Sequence, residues 1–152
     1  MQIACHAWSY NDLSLEDAVG TIARLGFRYI DLGSGPHLDT NRATAYPEAE
    51  AQKIRELLDE FDLTLTDLYL MLPMVNSPDP AQREVQLTLF ERLIPFAASL
   101  GTPGITISPG LIHKDGLDHS LARAIPALLR MLQAAEDTDL RVSFEPHMDS
   151  VA

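Results

Sequence analysis

The sequence has 152 residues, enough for a single domain over 1–152 with a real core, and its 46% apolar and 22% charged content is ordinary for a globular protein. Its 22 acids against 11 bases leave a net charge of -11, which opposes a phosphate backbone and argues against a nucleic-acid partner. No run of about 18 apolar residues could span a bilayer, and Met1 to His6 lacks the basic and apolar segments of a secretory signal, so no membrane partner is expected and the expected location is the cytoplasm.

The first apolar run, Ile3 to Ala7, reads as a strand that exits into the loop Trp8-Ser9-Tyr10-Asn11-Asp12. The lone Cys5 has no partner for an internal disulfide and is expected to be a small core side chain. Ser14 caps the first helix with Asp17 three residues on, Ala18, Ile22 and Leu25 form its apolar stripe, and Gly26 stops it. Arg28 to Leu32 is the second strand, with Asp31 near its exit and the breaker-rich Gly33-Ser34-Gly35-Pro36 behind it. His37 to Tyr46 reads as loop. Pro47 opens a second helix, with Glu48 and Glu50 beside its positive end and Ile54, Leu57, Leu58 and Phe61 turned inward.

Leu63 to Leu72 is a long apolar run that predicts a third strand covered on both faces. Asp67 inside it is then expected to be a buried acid with its hydrogen bonds satisfied, because an unpaired one would be costly. Asp79 caps a third helix that begins at Pro80 and reaches about Leu100, carrying Leu87, Phe90, Leu93, Ile94 and Ala97 on one side with a bend expected at Pro95. Ile105-Thr106-Ile107 is a short fourth strand, followed by a loop through His113 and Lys114 and a fourth helix from roughly Ser120 to Ala135. Four strand-then-helix units without a hairpin signal predict a parallel sheet with right-handed crossovers, whose functional residues collect at the strand exits.

The fifth strand, in the stretch Leu140 to Met148, carries the sharpest chemical signal. Side chains alternate along a strand, so Glu145 and His147 project on one side, two residues apart. Pro146 between them cannot donate to a sheet ladder, which places the pair at the strand's carboxyl end, where an α/β sheet opens onto its ligand crevice. A carboxylate and an imidazole can there share a metal ion or a proton. His37, Asn76 and His113 lie on loops at the same predicted mouth.

This order of pieces resembles the xylose isomerase-like TIM barrel family, the sugar phosphate isomerases and epimerases that also include apurinic-site endonucleases. The resemblance is carried by Ser14 to Ala18 through Leu25-Gly26-Phe27-Arg28-Tyr29-Ile30-Asp31-Leu32, then Leu100 to Ile105, then Ser143-Phe144-Glu145-Pro146-His147. It implies an α/β fold, a partial TIM barrel of about five parallel strands and four helices with strands 6 to 8 missing. In the family a divalent ion (manganese, magnesium, cobalt or zinc) is held by a Glu of strand 5 together with an Asp, a His and a second Glu from strands 6 to 8. The resemblance implies that this ion binds the carbonyl and neighbouring hydroxyl of a sugar and stabilises the enediolate formed when a carboxylate removes the proton between them. Glu145 matches the strand-5 ligand, as metal ligand and as acid/base residue. Three of the four ligands are then absent, and weak or no metal binding by this chain alone is expected. No nucleotide fingerprint is present, so no nucleotide cofactor is inferred.

The implied substrate is a small sugar, or a keto or hydroxy acid. His6 and Trp8 share a face at the end of strand 1 and offer it a polar group beside a flat wall. His147, Asp31 and His113 are further candidate contacts; Asp31 could equally brace the loop after it, and His147 could orient Glu145. The expected activity is divalent-metal-dependent isomerisation or epimerisation, incomplete in the isolated chain. Its rivals are a catalytically silent truncated barrel or subunit completed by another chain, and a metal-dependent dehydratase on the same barrel. Exposed edges on strands 1 and 5 predict self-association.

Overall fold

The structure is a computed structural model that describes residues 3–151. Five strands, β1 (Ala4–His6), β2 (Tyr29–Gly33), β3 (Thr64–Leu70), β4 (Gly104–Ile107) and β5 (Arg141–Phe144), lie side by side in chain order, each parallel to its neighbour. Between them run α1 (Leu15–Arg24), α2 (Thr40–Ala45), α3 (Pro47–Glu60), α4 (Pro80–Leu100) and α5 (Leu117–Ala135). None of the helices among the described residues is long and apolar enough to cross a membrane.

One face of the sheet is apolar and covered by helices. Ile30, Leu32, Leu68, Leu70, Ile105 and Ile107 are buried there in one core with Ile22 of α1, Ile54 and Leu58 of α3, and Phe90, Leu93 and Phe96 of α4. The other face carries His6, Asp31, Asp67, Tyr69, Thr106, Arg141 and Ser143. Helices packed on that face would strand its polar groups without partners, so alternation along the strands assigns it to the inside of the curved sheet.

A bulge sets this alternation. Ile30 pairs with Leu65 but Asp31 pairs with Asp67, so Thr66 is an extra residue on β3, and its hydroxyl reaches back to β2, 3.1 Å from the Ile30 carbonyl and onto the Asp31 carboxylate. The inserted residue shifts the phase: Leu63 and Leu65 face the helices before it, Leu68, Leu70 and Leu72 after it. The expectation that Leu63–Leu72 is covered on both faces is therefore corrected. The run looks continuously apolar because a phase shift merges two alternating segments, while Asp67 and Tyr69 turn inward.

Other boundaries also differ from the sequence reading. The segment read as loop, His37 to Tyr46, contains α2, whose cap Asp39 accepts from the Asn41 and Arg42 amides at 3.0 and 3.1 Å. Six residues are too few to display a helical stripe, so the described residues form five helices rather than four. Helix α5 begins at Leu117, a turn ahead of Ser120, and Ala7–Tyr10 forms a 3-10 turn instead of a simple loop. Leu25, read as part of the α1 stripe, sits past the last turn and is 61% exposed. Cys5 is half-buried, and burial pushes its thiol above its ordinary value.

Candidate functional site

Strand register assembles the site in layers. His6, Asp31 and Asp67 are consecutive partners across β1, β2 and β3. One layer closer to the strand exits, Gly33 pairs with Tyr69 and Tyr69 with Thr106, which pairs with Ser143. The ladder continues past β5, because the Glu145 amide donates to the Ile107 carbonyl at 2.9 Å. Two residues beyond Ser143, Glu145 falls on the same inner face by alternation, exposed at the strand's end.

Tyr69 is the centre of this arrangement. Its hydroxyl lies 2.8 Å from His147 Nε2, and its ring meets His6 and His147 edge-on, with centroids 5.9 and 6.2 Å away. Burial, and then the negative charge of Glu145, hold its phenol above the usual tyrosine range. His6 is oriented from behind, its Nδ1 donating to the Asp31 carbonyl at 3.4 Å. Sequence reasoning missed Tyr69. The signal was there in Asp67, Tyr69 and Met71, which alternate with Leu68, Leu70 and Leu72.

Trp8 stands beside this group on the 3-10 turn. A Cβ on Gly33 would lie 3.3 Å from His6 Cε1 and 3.5 Å from the Trp8 indole, and one on Gly35 would lie 3.1 Å from the same indole. The second strand ends in glycines because both rings pass close to its backbone.

The remaining candidates take other positions. Asp31 accepts from Thr66 at the bulge and so braces β2 against β3. Asp67 does not have the fully satisfied environment expected of it: Oδ1 is buried and finds no hydrogen-bond partner among the described residues. Burial pushes its carboxyl above the usual range and the neighbouring Asp31 charge adds to this, against the opposing pull of the Thr106 hydroxyl and Arg141. His37 is buried and donates through Nε2 to the Leu13 carbonyl at 3.1 Å, tying two loops together. His113 Nε2 donates to Asn76 Oδ1 at 3.1 Å, and no hydrogen bond or ring contact among the described residues joins His113 to His6, Tyr69 or His147.

A divalent cation needs several hard oxygen or imidazole ligands converging on one point. Among the described residues no group of three or more His, Cys, Asp or Glu is placed to hold a metal ion, and His147 Nε2 is engaged with Tyr69. Glu145 offers an exposed carboxylate at the mouth. The described donor set does not complete a coordination shell.

The family model of the xylose isomerase-like TIM barrel matches residues 19–151. No curated protein matches the sequence. Among solved structures, the IOLI protein with a binding zinc atom superposes with a TM-score of 0.75 at 15% identity, over 99% of this chain and 54% of its own. D-psicose 3-epimerase from Clostridium cellulolyticum H10, with D-tagatose, gives 0.70 at 14% identity, over 95% and 52%. D-allulose 3-epimerase from Methylomonas sp., in complex with D-allulose, gives 0.69 at 20% identity, over 95% and 50%. At such identities the likeness shows the fold, and the chain spans about half the length of these structures, as a partial barrel does.

Proposed function

The chain belongs to the xylose isomerase-like TIM barrel family, and on that premise we propose that its strand exits form one half of the site of a sugar isomerase or epimerase. The observation that carries the reading is the shared inner face at the carboxyl ends of β1, β3 and β5, where His6, Tyr69, Glu145 and His147 come together beside Trp8.

Isomerisation and epimerisation of a ketose both begin by removing the proton from a carbon next to the carbonyl. Glu145 is the group we assign to that step, since it is an exposed carboxylate on the inner face. Tyr69 and His147 present a phenol and an imidazole to the sugar oxygens, and their mutual hydrogen bond fixes both before substrate arrives. The Tyr69 phenol is held protonated, so it can donate to an oxygen on which negative charge develops. Trp8 supplies a flat apolar wall for the carbon face of the sugar. A divalent ion would supply Lewis-acid polarisation of the carbonyl; Glu145 is the residue here that would contribute to holding it, and its other ligands would have to come from outside the described residues.

The starts of α1, α2 and α4 are closed to a phosphate, whereas that of α5, after Gly116, carries no side-chain cap. Phosphate is commonly held by free amides at helix N-termini, but Ser14 and Asp17 occupy the start of α1, Asp39 that of α2 and Asp79 that of α4. These ends already have their own oxygens.

The test is incubation with D-fructose, D-tagatose and D-allulose in heavy water, with and without added manganese, following deuterium entry beside the carbonyl by NMR. The chain is assayed as it stands and, if its reading frame extends past Ala152, in the extended form. Incorporation that is lost in Glu145→Gln is the expected result. Incorporation that survives Glu145→Gln, or none from any form with any of the three sugars, overturns the proposal.

A further inference from the structure

We propose that Asn76, which lies on the loop before α4 and touches none of the candidate site residues except the displaced His113, is a positioning residue for His147. The proposal rests on the reading above only for the importance of His147; the geometry stands on its own. Asn76 is fully buried, and its carboxamide uses every hydrogen-bonding position it has. Nδ2 donates to the carbonyls of Leu111 at 2.8 Å and Ser120 at 3.2 Å, while Oδ1 accepts from the Leu111 amide at 3.0 Å and from His113 Nε2 at 3.1 Å. The side chain thus grips both main-chain groups of Leu111, as a neighbouring strand would.

The opposite edge of the same short segment holds the chain that follows His147. Leu111 and Ser150 form an isolated antiparallel bridge, with the Ile112 amide donating to the Asp149 carbonyl at 2.7 Å and the Val151 amide donating to the Gly110 carbonyl at 3.1 Å. In such a bridge the main-chain groups of the central residue point away from its partner. Leu111 therefore turns its own amide and carbonyl toward Asn76, and residues 110–112 lie between the carboxamide and residues 149–151. Ser150 closes the chain back on His147, its amide donating to the His147 carbonyl at 3.1 Å and its hydroxyl accepting from the His147 amide at 3.2 Å. Asp149 completes the turn with a left-handed φ of 64°.

His147 is exposed and lies beyond the last residue of β5, so the sheet does not fix it. The turn at 147–150 does, and that turn is anchored on Gly110 and Ile112. Leu111 between those two is in turn held by Asn76, which lies so close under Gly110 that a Cβ there would be 2.6 Å from Asn76 Cγ. Tyr69 then meets an imidazole whose main chain is already in place.

The test is NMR of the Asn76→Ala chain, read through ring-to-ring contacts of Tyr69. Loss of the Tyr69–His147 contacts with the Tyr69–His6 contacts retained is the expected result, and it does not depend on activity. Retention of both sets in a folded variant overturns the proposal, as does loss of both with the fold intact. Should the variant not fold, hydrogen exchange on the unaltered chain decides. Shared protection of the Leu111, Ile112 and Val151 amides supports the strap, and free exchange at Ile112 and Val151 beside a protected Leu111 overturns it.

Discussion

Tyr69 and His147 are 78 residues apart in sequence and 2.8 Å apart across the inner face of the sheet. The contact joins the middle of the sheet to the turn after its last strand. Replacing Tyr69 by Phe keeps the ring packing and removes only the hydroxyl. The expected loss is about 1 kcal/mol in urea denaturation, the usual net worth of one hydrogen bond. The phenol is expected to ionise above the ordinary tyrosine range in an ultraviolet titration, and Glu145→Gln should bring it down only in part, because burial is the larger cause. Full return to the ordinary range in Glu145→Gln would assign the effect to charge instead.

Asp67 is the strained member of the inner face. Its carboxyl is raised by burial and by Asp31, and Oδ1 has no hydrogen-bond partner among the described residues. The unfolded carboxyl titrates near about 3.9. From there up to the raised folded value the folded chain holds the extra proton, so stability is full below that window, falls as pH rises through it, and stays lower above it. Asp67→Asn, which removes the buried charge and keeps the shape, should therefore stabilise the chain at neutral pH, and the gain should vanish in acid. Thermal melts across the pH range check this; a gain independent of pH would rule out ionisation as its source.

Much of this architecture was legible in the residues themselves. Ser14, Pro47, Asp79 and Pro80 marked helix starts because caps and N-terminal prolines act locally, and Glu145-Pro146-His147 marked a strand exit because proline cannot extend a ladder. What stayed hidden depends on pairing. The Thr66 bulge exists only relative to β2, so Asp67 and Tyr69 looked like parts of an apolar run. Asn76 and His113 looked alike as loop residues, and only the fold shows one with three of its bonds to the main chain and the other committed to it.

The outer flank of the sheet offers a prediction about assembly. β1 and β5 are the sheet's two edges, and Phe144 on β5 and Ile125, Leu129 and Leu132 on α5 are exposed apolar side chains. Concentration-dependent self-association is expected in sedimentation velocity, weakened by Leu129→Glu. A monomer that persists at high concentration would contradict it.

Arg130 joins α5 to α4 with four hydrogen bonds, 2.7 and 3.0 Å to Glu84 and 2.6 and 3.0 Å to Glu91. These hold the Glu84 carboxyl below its usual range, so its contribution is present at neutral pH and is lost as pH falls from the ordinary carboxylate value through the lowered one. The groups are solvent-exposed, which limits the effect. Arg130→Ala should lower stability by less than about 1 kcal/mol, with the deficit shrinking in added salt. A deficit unchanged by salt would point to lost packing of the side-chain stem instead.

Gly104 opens β4 where three groups converge. A Cβ there would lie 2.7 Å from the Arg141 carbonyl oxygen, 3.3 Å from Arg141 Cβ and 3.3 Å from Asp67 Oδ1. The first contact is with the backbone of β5, which cannot rotate away as a side chain could. Gly104→Ala must therefore push β5 off β4 at Arg141, the first pair of their register. The expected cost is about 1–3 kcal/mol, the range for overpacking a close-packed interior. Because Glu145 extends this same ladder through its amide, exchange of that amide should quicken in the variant alongside the loss of stability. An alanine variant as stable as the parent, with the Glu145 amide equally protected, would show that β5 is free to shift and is not held at its base by Gly104.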